Sequence, residues 1–504
     1  MTTYTQLNKI NARHKMFFYS IDLLTTNRNK ACCVERSYVR KILDYFLSLD
    51  ETKEKDEASK IDMSHVKSWE TLHDSCVGFK RPEDLVVCYL SGPEPQNDFN
   101  ELISLGIHPQ NIWAFEMNSS TYNTALANYG SDYPQPKIIK QSIEHFFVHT
   151  PKKFDIVYID ACGSIASEKQ VLRIIATLCK YHRLNSPGII VSNFACPDLT
   201  KGEVLEEYSE MITQYLFCKQ FPNDVIDYNN SKIHSESYIT LKNRVKEDFH
   251  NFYSELITNS IIDIAALAVP IQRFVNSSYI GSIVKELPTK MTTKYDLDEL
   301  NSIKNNSLLK FSYLIKLIEQ DSDAINNKKI RTFIKGFSGL GDMPKDLFET
   351  LNILYKIKNE DSFLKSDIEI LKKQFDKGEG IYQYLDKPNS SLLLDVLVNQ
   401  LSYPLHYNSN AIKRYKYKAK NMEMFMDVIV LDECRYIYEW LPSLHQIQHA
   451  FSNLSWQYVF RFALDGLIKQ RISYNNEYFF QGSVISKEIV GFENKTISKR
   501  ETIE

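Results

Sequence analysis

The sequence predicts an α/β protein: a parallel sheet covered by helices, with a helical N-terminal cap before it and a large, mainly helical C-terminal domain after it. Three observations predict this. Between Leu85 and Ala195, short apolar runs alternate with amphipathic stretches of helical period. The runs are apolar on both faces, as strands buried under helices on either side must be. Outside this block, apolar residues recur at helical spacing, and glycine and proline are scarce at 16 each in 504 residues, which favours long helices over turn-dense β structure.

The elements follow in order. Residues 1–80 read as the helical cap. Its clearest helix is Val34 to Leu49, with Val39, Ile42, Leu43, Phe46 and Leu47 on one face, ending at the hydrophilic break Asp50 to Lys60. Residues 81–225 carry the α/β block. Its strands are LVVCYLS from Leu85, NIWAFE from Asn111, KIIK from Lys137, FDIVYID from Phe154 and GIIVSNFA from Gly188. The helices between them are NDFNELISLGI, SSTYNTALANY, SIEHFF and Ser167 to Tyr181. Strands alternating with helices of this length make βαβ units and a parallel sheet. Residues 226–504 form the helical domain, in one or two subdomains, with helices at Tyr238 to Asn259, Leu308 to Asp321, Lys345 to Ile357 and Leu364 to Phe375. Phe337 to Asp346 reads as a loop, Asn421 to Pro442 fits strand or helix, residues 443–480 read as helical, and Tyr478 to Val490 as a short strand pair.

Composition excludes several classes. The net charge of −3 argues against a uniformly basic nucleic-acid binder. Nine cysteines without a CxxC argue against a disulfide framework or thiolate zinc site, so no metal is expected, and a reducing cytoplasm fits. The N-terminus has no apolar signal segment. The longest apolar stretch, Ile261 to Val269, is interrupted by Asp263 and falls short of the roughly 20 residues a membrane span needs. The 30 tyrosines and 28 phenylalanines exceed what a core of this size calls for, so many are expected half exposed or lining grooves.

In an open parallel sheet, ligands bind beyond the carboxyl ends of the strands. The first run ends in Ser91-Gly92-Pro93-Glu94-Pro95 ahead of a helix start, where Gly92 permits close backbone approach and unpaired N–H groups favour polar ligand atoms. The second ends in Glu116, followed by Met117, 24 positions after Gly92; a carboxylate there can accept from both hydroxyls of a ribose. Gln141-Ser142-Ile143 follows the third run, placed to face an adenine ring. Asp160-Ala161-Cys162-Gly163 ends the fourth, and Asn193-Phe194-Ala195 the fifth.

Over residues 84–200 this arrangement resembles the class I S-adenosylmethionine-dependent methyltransferases, a Rossmann-like family. The resemblance implies S-adenosylmethionine or S-adenosylhomocysteine as cofactor. Ser91, Gly92 and Glu94 would hold its methionine part, Glu116 with Met117 its ribose, and Ser142 and Ile143 its adenine. Asp160 and Cys162 would face the methyl group and acceptor. The family turn carries an acid at the strand and two or three glycines. Here it carries one glycine and two prolines, and Glu94 is the acid on offer. The combination of SIDLLTTNRN, SGPEPQNDF, NIWAFE and FDIVYIDACGS also looks like large methyltransferase-like proteins of bacterial phage-defence loci, which implies a phage protein or nucleic acid as partner. The other reading is a non-catalytic sensor or adaptor with a degenerate fold. A nucleotide-binding oxidoreductase would want G-x-G-x-x-G at the first turn, which is missing.

The remaining candidates each have two readings. Asp160 is either a base or substrate anchor with its pKa tuned upward, or a helix cap. Cys162 is a nucleophile or a buried, inert thiol. His145/His149 and His445/His449 lie at i, i+4 but lack a third ligand. KRYKYKAK, Lys413 to Lys420, is either a phosphate-holding, base-stacking segment or a solvated basic helix face or loop. WQYVFRF, Trp456 to Phe462, reads as core, and Thr496 to Glu504 as a frayed tail.

Overall fold

The computed structural model describes residues 7–129, 138–167, 171–219, 238–277, 327–340, 364–377, 401–440, 444–450 and 498–504, with a few isolated positions between them. The expected helices Leu308 to Asp321 and Lys345 to Ile357, the strand pair Tyr478 to Val490 and most of Trp456 to Phe462 lie outside the described residues.

The N-terminal helices are α1 (Leu7–Leu24), α2 (Arg28–Ala31), α3 (Tyr38–Ser48), α4 (Lys53–Ala58) and α5 (Met63–Val77). The alternating block follows as β1 (Val87–Leu90), α6 (Gln96–Ser104), β2 (Ile112–Phe115), α7 (Ser119–Asn128), β3 (Ile138–Ile139), α8 (Ile143–His149), β4 (Phe154–Asp160), α9 (Val171–Lys180) and β5 (Leu184–Ala195). All five strands run parallel, in the order β3-β2-β1-β4-β5. This is the expected parallel sheet, each strand linked to the next by a helix that packs back on one of its faces.

The sheet does not stop at residue 225. After α10 (Gly202–Lys219), α11 (Tyr238–Glu247), α12 (Phe249–Asp263), α13 (Val269–Val275), α14 (Lys328–Gly336) and α15 (Ser366–Lys377), the chain adds β6 (His406–Tyr407), β7 (Lys413–Ala419), β8 (Met422–Asp432) and β9 (Glu501–Ile503). β8 pairs antiparallel with β5, β7 antiparallel with β8, β9 parallel with β7, and β6 with the end of β8. The described residues thus form one mixed sheet of nine strands, the first five in a Rossmann-like order, and strands from beyond residue 400 join that same sheet. Asn421 to Pro442 resolves as β8 followed by α16 (Arg435–Tyr438). Residues 444–450 form α17 (Leu444–Ala450). The tail expected to fray is β9, where Ile503 is buried.

Two cores flank the sheet, and the period of 2 sorts side chains between them. Val87, Tyr89, Ile156, Tyr158, Ile189, Val191, Met426 and Val428 face α1, α6 and α7. Cys88, Val157, Ile159, Ile190, Phe425 and Ile429 face α3, α5, α9, α10 and α12. The N-terminal segment therefore covers both faces of the sheet: α1 lies on one, α3 and α5 on the other. α1 crosses the sheet far enough to bond its C-terminal edge, through Lys15 to Glu501 at 2.5 Å.

Three expectations are corrected here. Tyrosines are core residues: Tyr89, Tyr158, Tyr208, Tyr215, Tyr253, Tyr417 and Tyr436 are fully buried. Burial is tolerated because their hydroxyls find partners, as Tyr89 does on Pro95 O at 2.9 Å and Tyr253 on Ala195 O at 2.9 Å. Lys413 to Ala419 of KRYKYKAK form strand β7, not a helix face or loop. Arg414 is 5% exposed and donates to Ser254 and Ser498, and Tyr415 and Tyr417 are buried, so these three are withdrawn from phosphates and bases. The helical stretch Phe249–Val275 is long and apolar enough to cross a membrane, contrary to the count from Ile261 to Val269, but 83% of its most apolar window is buried by the protein itself. Asp263, the interrupting charge, is fully buried and accepts from Tyr215.

Candidate functional site

The order β3-β2-β1-β4-β5 reverses direction between β1 and β4, and the crevice beyond their carboxyl ends is where such sheets bind ligands. The β1 turn begins as predicted. Ser91 N–H still pairs with Phe115 O at 3.1 Å, so β1 and β2 stay in register until Ser91; its side chain is 7% exposed and its hydroxyl donates to Gly92 O at 3.2 Å. Gly92 then takes φ +58°, the left-handed region that favours glycine, and a Cβ built there meets nothing within 4 Å. The turn is open. Glu94 accepts from Asn97 Nδ2 at 3.0 Å and braces the entry to α6, while Asn128 Nδ2 holds Pro93 O at 3.0 Å. Glu94 is thus a helix-entry residue in this structure.

Glu116 sits where β2 ends. Its N–H bonds Ile139 O on β3 at 3.1 Å, and its Oε1 accepts Asn118 N–H at 2.7 Å. This fixes the carboxylate and leaves Oε2 without a donor among the described residues. Met117 is 71% exposed and packs on no core. Beyond β3, Ser142 stands at the N-cap of α8 but makes no capping bond, so its half-exposed hydroxyl remains available. Ile143 is different: at 2% exposure it is packed in the core and offers no surface to an adenine. One helical residue along, its side chain has turned inward.

The β4 end is arranged otherwise. Asp160 Oδ2 accepts Lys9 Nζ from α1 at 2.9 Å, and Oδ1 accepts Asn193 Nδ2 at 3.0 Å and Cys162 Sγ at 3.3 Å. Burial by itself pushes the Asp160 pKa up, but the Lys9 ammonium and these hydrogen bonds outweigh it and hold the carboxyl below its usual range. Of the two sequence readings of Asp160, the upward-tuned one does not fit: the carboxyl is an ionised charge partner. Lys9 responds in kind: burial lowers its pKa, but Asp160, Cys162 and Asp98 together raise it, and the net direction is up. Beside it Arg13 donates to the buried Asp98 at 2.7 Å; burial raises the Asp98 pKa, and Arg13 only partly offsets this. Cys162 is exposed, not buried, and takes φ +50°, a left-handed conformation that costs a non-glycine residue about 1 kcal/mol. Asn193, fully buried, also donates to the Tyr417 hydroxyl at 2.8 Å, and its Oδ1 has no partner among the described residues.

The structure thus brings Ser91, Gly92 and Glu94 together on one turn, and Asp160 with Cys162 at the next strand. It adds Lys9, Arg13, Asp98 and Asn193, to which the sequence alone assigned no role, and Tyr417, which it had placed in the KRYKYKAK segment. The strand-end position of Asn193 was a usable signal; no local pattern marks Lys9. His145 and His149 do share a helix face, with ring centroids 4.4 Å apart, and Gln141 bonds His145 at 2.6 Å.

No protein-family model and no curated protein matches this sequence. Eight solved chains match in structure. One is an S-adenosylmethionine-dependent methyltransferase from Clostridium acetobutylicum ATCC 824, at 16% identity and TM-score 0.18 over 31% of this chain and 57% of that one. Another is the magnesium protoporphyrin IX methyltransferase ChlM of Synechocystis PCC 6803 with bound SAH, at 14% identity and TM-score 0.18 over 31% and 66%. A third is StiE O-MT residues 942–1257, at 11% identity and TM-score 0.18 over 49% and 86%. The chain spans less than two thirds of the first two proteins. These likenesses concern the fold alone.

Proposed function

We propose that this protein binds S-adenosylmethionine at the carboxyl edge of β1 and β2 and transfers its methyl group. One observation carries the reading: the open left-handed Gly92 turn stands beside a Glu116 carboxylate that Asn118 N–H pre-orients with one oxygen left for a donor. Two vicinal ribose hydroxyls suit such an acceptor, and charge-assisted bonds of this kind contribute about 1.5–3 kcal/mol each. The bound cofactor would supply an electrophilic methyl group to an acceptor nucleophile that gives up a proton.

This chain's own residues divide the work. Gly92 and Ser91 let the backbone approach, Glu116 orients the ribose, and the Ser142 hydroxyl reaches toward the base. Asp160 stays ionised and orients Lys9 and Asn193 at the β4 end; it is a positioning residue, with Cys162 on the exposed lip beside it. The methyl acceptor is unassigned, and neither the fold nor the comparisons supports a role in phage defence.

Calorimetry with S-adenosylmethionine on the wild type and Glu116→Ala tests the reading. Binding by the wild type, weakened on the order of 100-fold by the substitution, is expected. Absence of binding by the wild type overturns it. A second reading, a non-catalytic sensor or adaptor, is favoured by one feature: the carboxylates Asp98 and Asp160 are both neutralised by α1, the chain's own helix.

A further inference from the structure

The edge where β5 meets β8 holds a second constellation, outside the crevice of β1 and β4. Cys196 is the residue after β5, and its N–H bonds Glu423 O at 2.8 Å, extending the ladder by one rung. Across that rung stands the Glu423 side chain, and over both lies His250, one residue into α12. His250 Nδ1 is 3.8 Å from Cys196 Sγ and 2.6 Å from Glu423 Oε2, and the three ligand atoms lie within 4.8 Å of one another. We infer that Cys196, His250 and Glu423 form a binding site for a divalent transition metal of the zinc class.

The donor set is what such an ion selects: one thiolate sulfur, one imidazole nitrogen, one carboxylate oxygen. A tetrahedral zinc site separates sulfur from nitrogen by roughly 3.6 Å and nitrogen from oxygen by roughly 3.4 Å. The first separation is nearly met, and the second needs the exposed His250 and half-buried Glu423 side chains to part by less than 1 Å. The frame beneath is rigid. Tyr253, one helical turn after His250, donates to Ala195 O at 2.9 Å and accepts Ile165 N–H at 2.9 Å, pinning α12 to the β5 end. The His250 side chain is 56% exposed, so water completes the fourth position. Cysteine ligates a metal as the thiolate, so the Cys196 thiol must give up its proton on binding. Binding therefore breaks the S–H bond, forms a metal–sulfur bond and releases the proton to solvent.

A second thiol cluster sharpens the choice. Cys33, Cys434 and Asp432 are equally close. There, however, the carboxylate already accepts Cys33 N–H at 3.0 Å, Cys434 N–H at 2.9 Å, Ser186 Oγ at 2.8 Å and the Tyr436 hydroxyl at 2.5 Å. Both its oxygens are filled, so this Asp432 is a structural hub and not a ligand.

Cobalt(II) titration of the full chain, stripped beforehand with chelator, tests the inference without any methyl donor, so its failure and the failure of the methyl-transfer reading are separate events. The expected result is one equivalent bound with a thiolate-to-cobalt charge-transfer band and proton uptake by the buffer. Cys196→Ser abolishes the band, and His250→Ala weakens binding by roughly 100-fold or more. Cys33→Ser leaves both unchanged. Should Cys196→Ser lose the far-ultraviolet dichroism of the wild type, His250→Ala at its exposed position decides alone. No band in the wild type, a band that survives His250→Ala, or one that vanishes with Cys33→Ser overturns the site.

Discussion

The two halves of the crevice use their polar groups in opposite ways. At β1 and β2, Gly92 leaves open space and Glu116 is held by a single backbone donor. At β4 and β5, Asp160 is met by Lys9, Asn193 and Cys162, and α1 likewise satisfies Asp98 of α6 through Arg13. The first half presents its groups outward; the second satisfies them from within the chain. The difference teaches that a strand-end carboxylate is not a base by virtue of its place. Glu116 stays accessible because its neighbours are short and local, whereas Asp160 faces a helix that brings two cations to the same edge.

Four measurements break or sharpen this contrast. Lys9→Met leaves the Asp160 carboxylate buried without its cation and is expected to cost about 3 kcal/mol, read by denaturant unfolding. Because the folded pKa of Asp160 is depressed, that contribution is complete above its unfolded value of about 3.9 and is lost as pH falls through the lower folded value. The gap between wild type and variant should therefore close below about pH 4; a constant gap would mean that Lys9 acts through packing alone.

Glu116→Gln keeps an acceptor oxygen but removes the charge. Its loss of S-adenosylmethionine affinity should be about tenfold, smaller than for Ala, with stability unchanged. If stability falls instead, Glu116 belongs with Asp160 as an internal support. Gly92→Ala meets no steric contact, so only its left-handed backbone counts, at about 1 kcal/mol of stability. A larger loss would show the turn to be packed and not open. Met117→Ala, at an exposed position, should alter stability by less than about 0.5 kcal/mol. An affinity change there, measured by the same calorimetry, would bring Met117 back to the ribose side of the site.

Legibility followed the range of the interactions. The five strands of the alternating block, the glycine turn and the strand-end acid could be read because periodicity and turn chemistry are local. Ile143 was misread by one helical position: Ser142 faces out and Ile143 in, a distinction set by how α8 docks on the sheet. Arg414 was misread because interleaved Lys, Arg and Tyr look the same on a solvated surface and on a central strand, and only the network with Ser254 decides.

What the sequence determined by itself is the parallel α/β block from Val87 to Ala195 and the placing of Gly92 and Glu116 at two strand ends, since hydrophobic period and backbone freedom are written residue by residue. The tertiary structure alone decided the rest. It brought Lys9 to Asp160 across 151 positions and Cys196 to His250 across 54, and it completed the sheet with strands from beyond residue 400. Charge pairing and metal ligation depend on distance through space, and no local pattern encodes which distant segments meet.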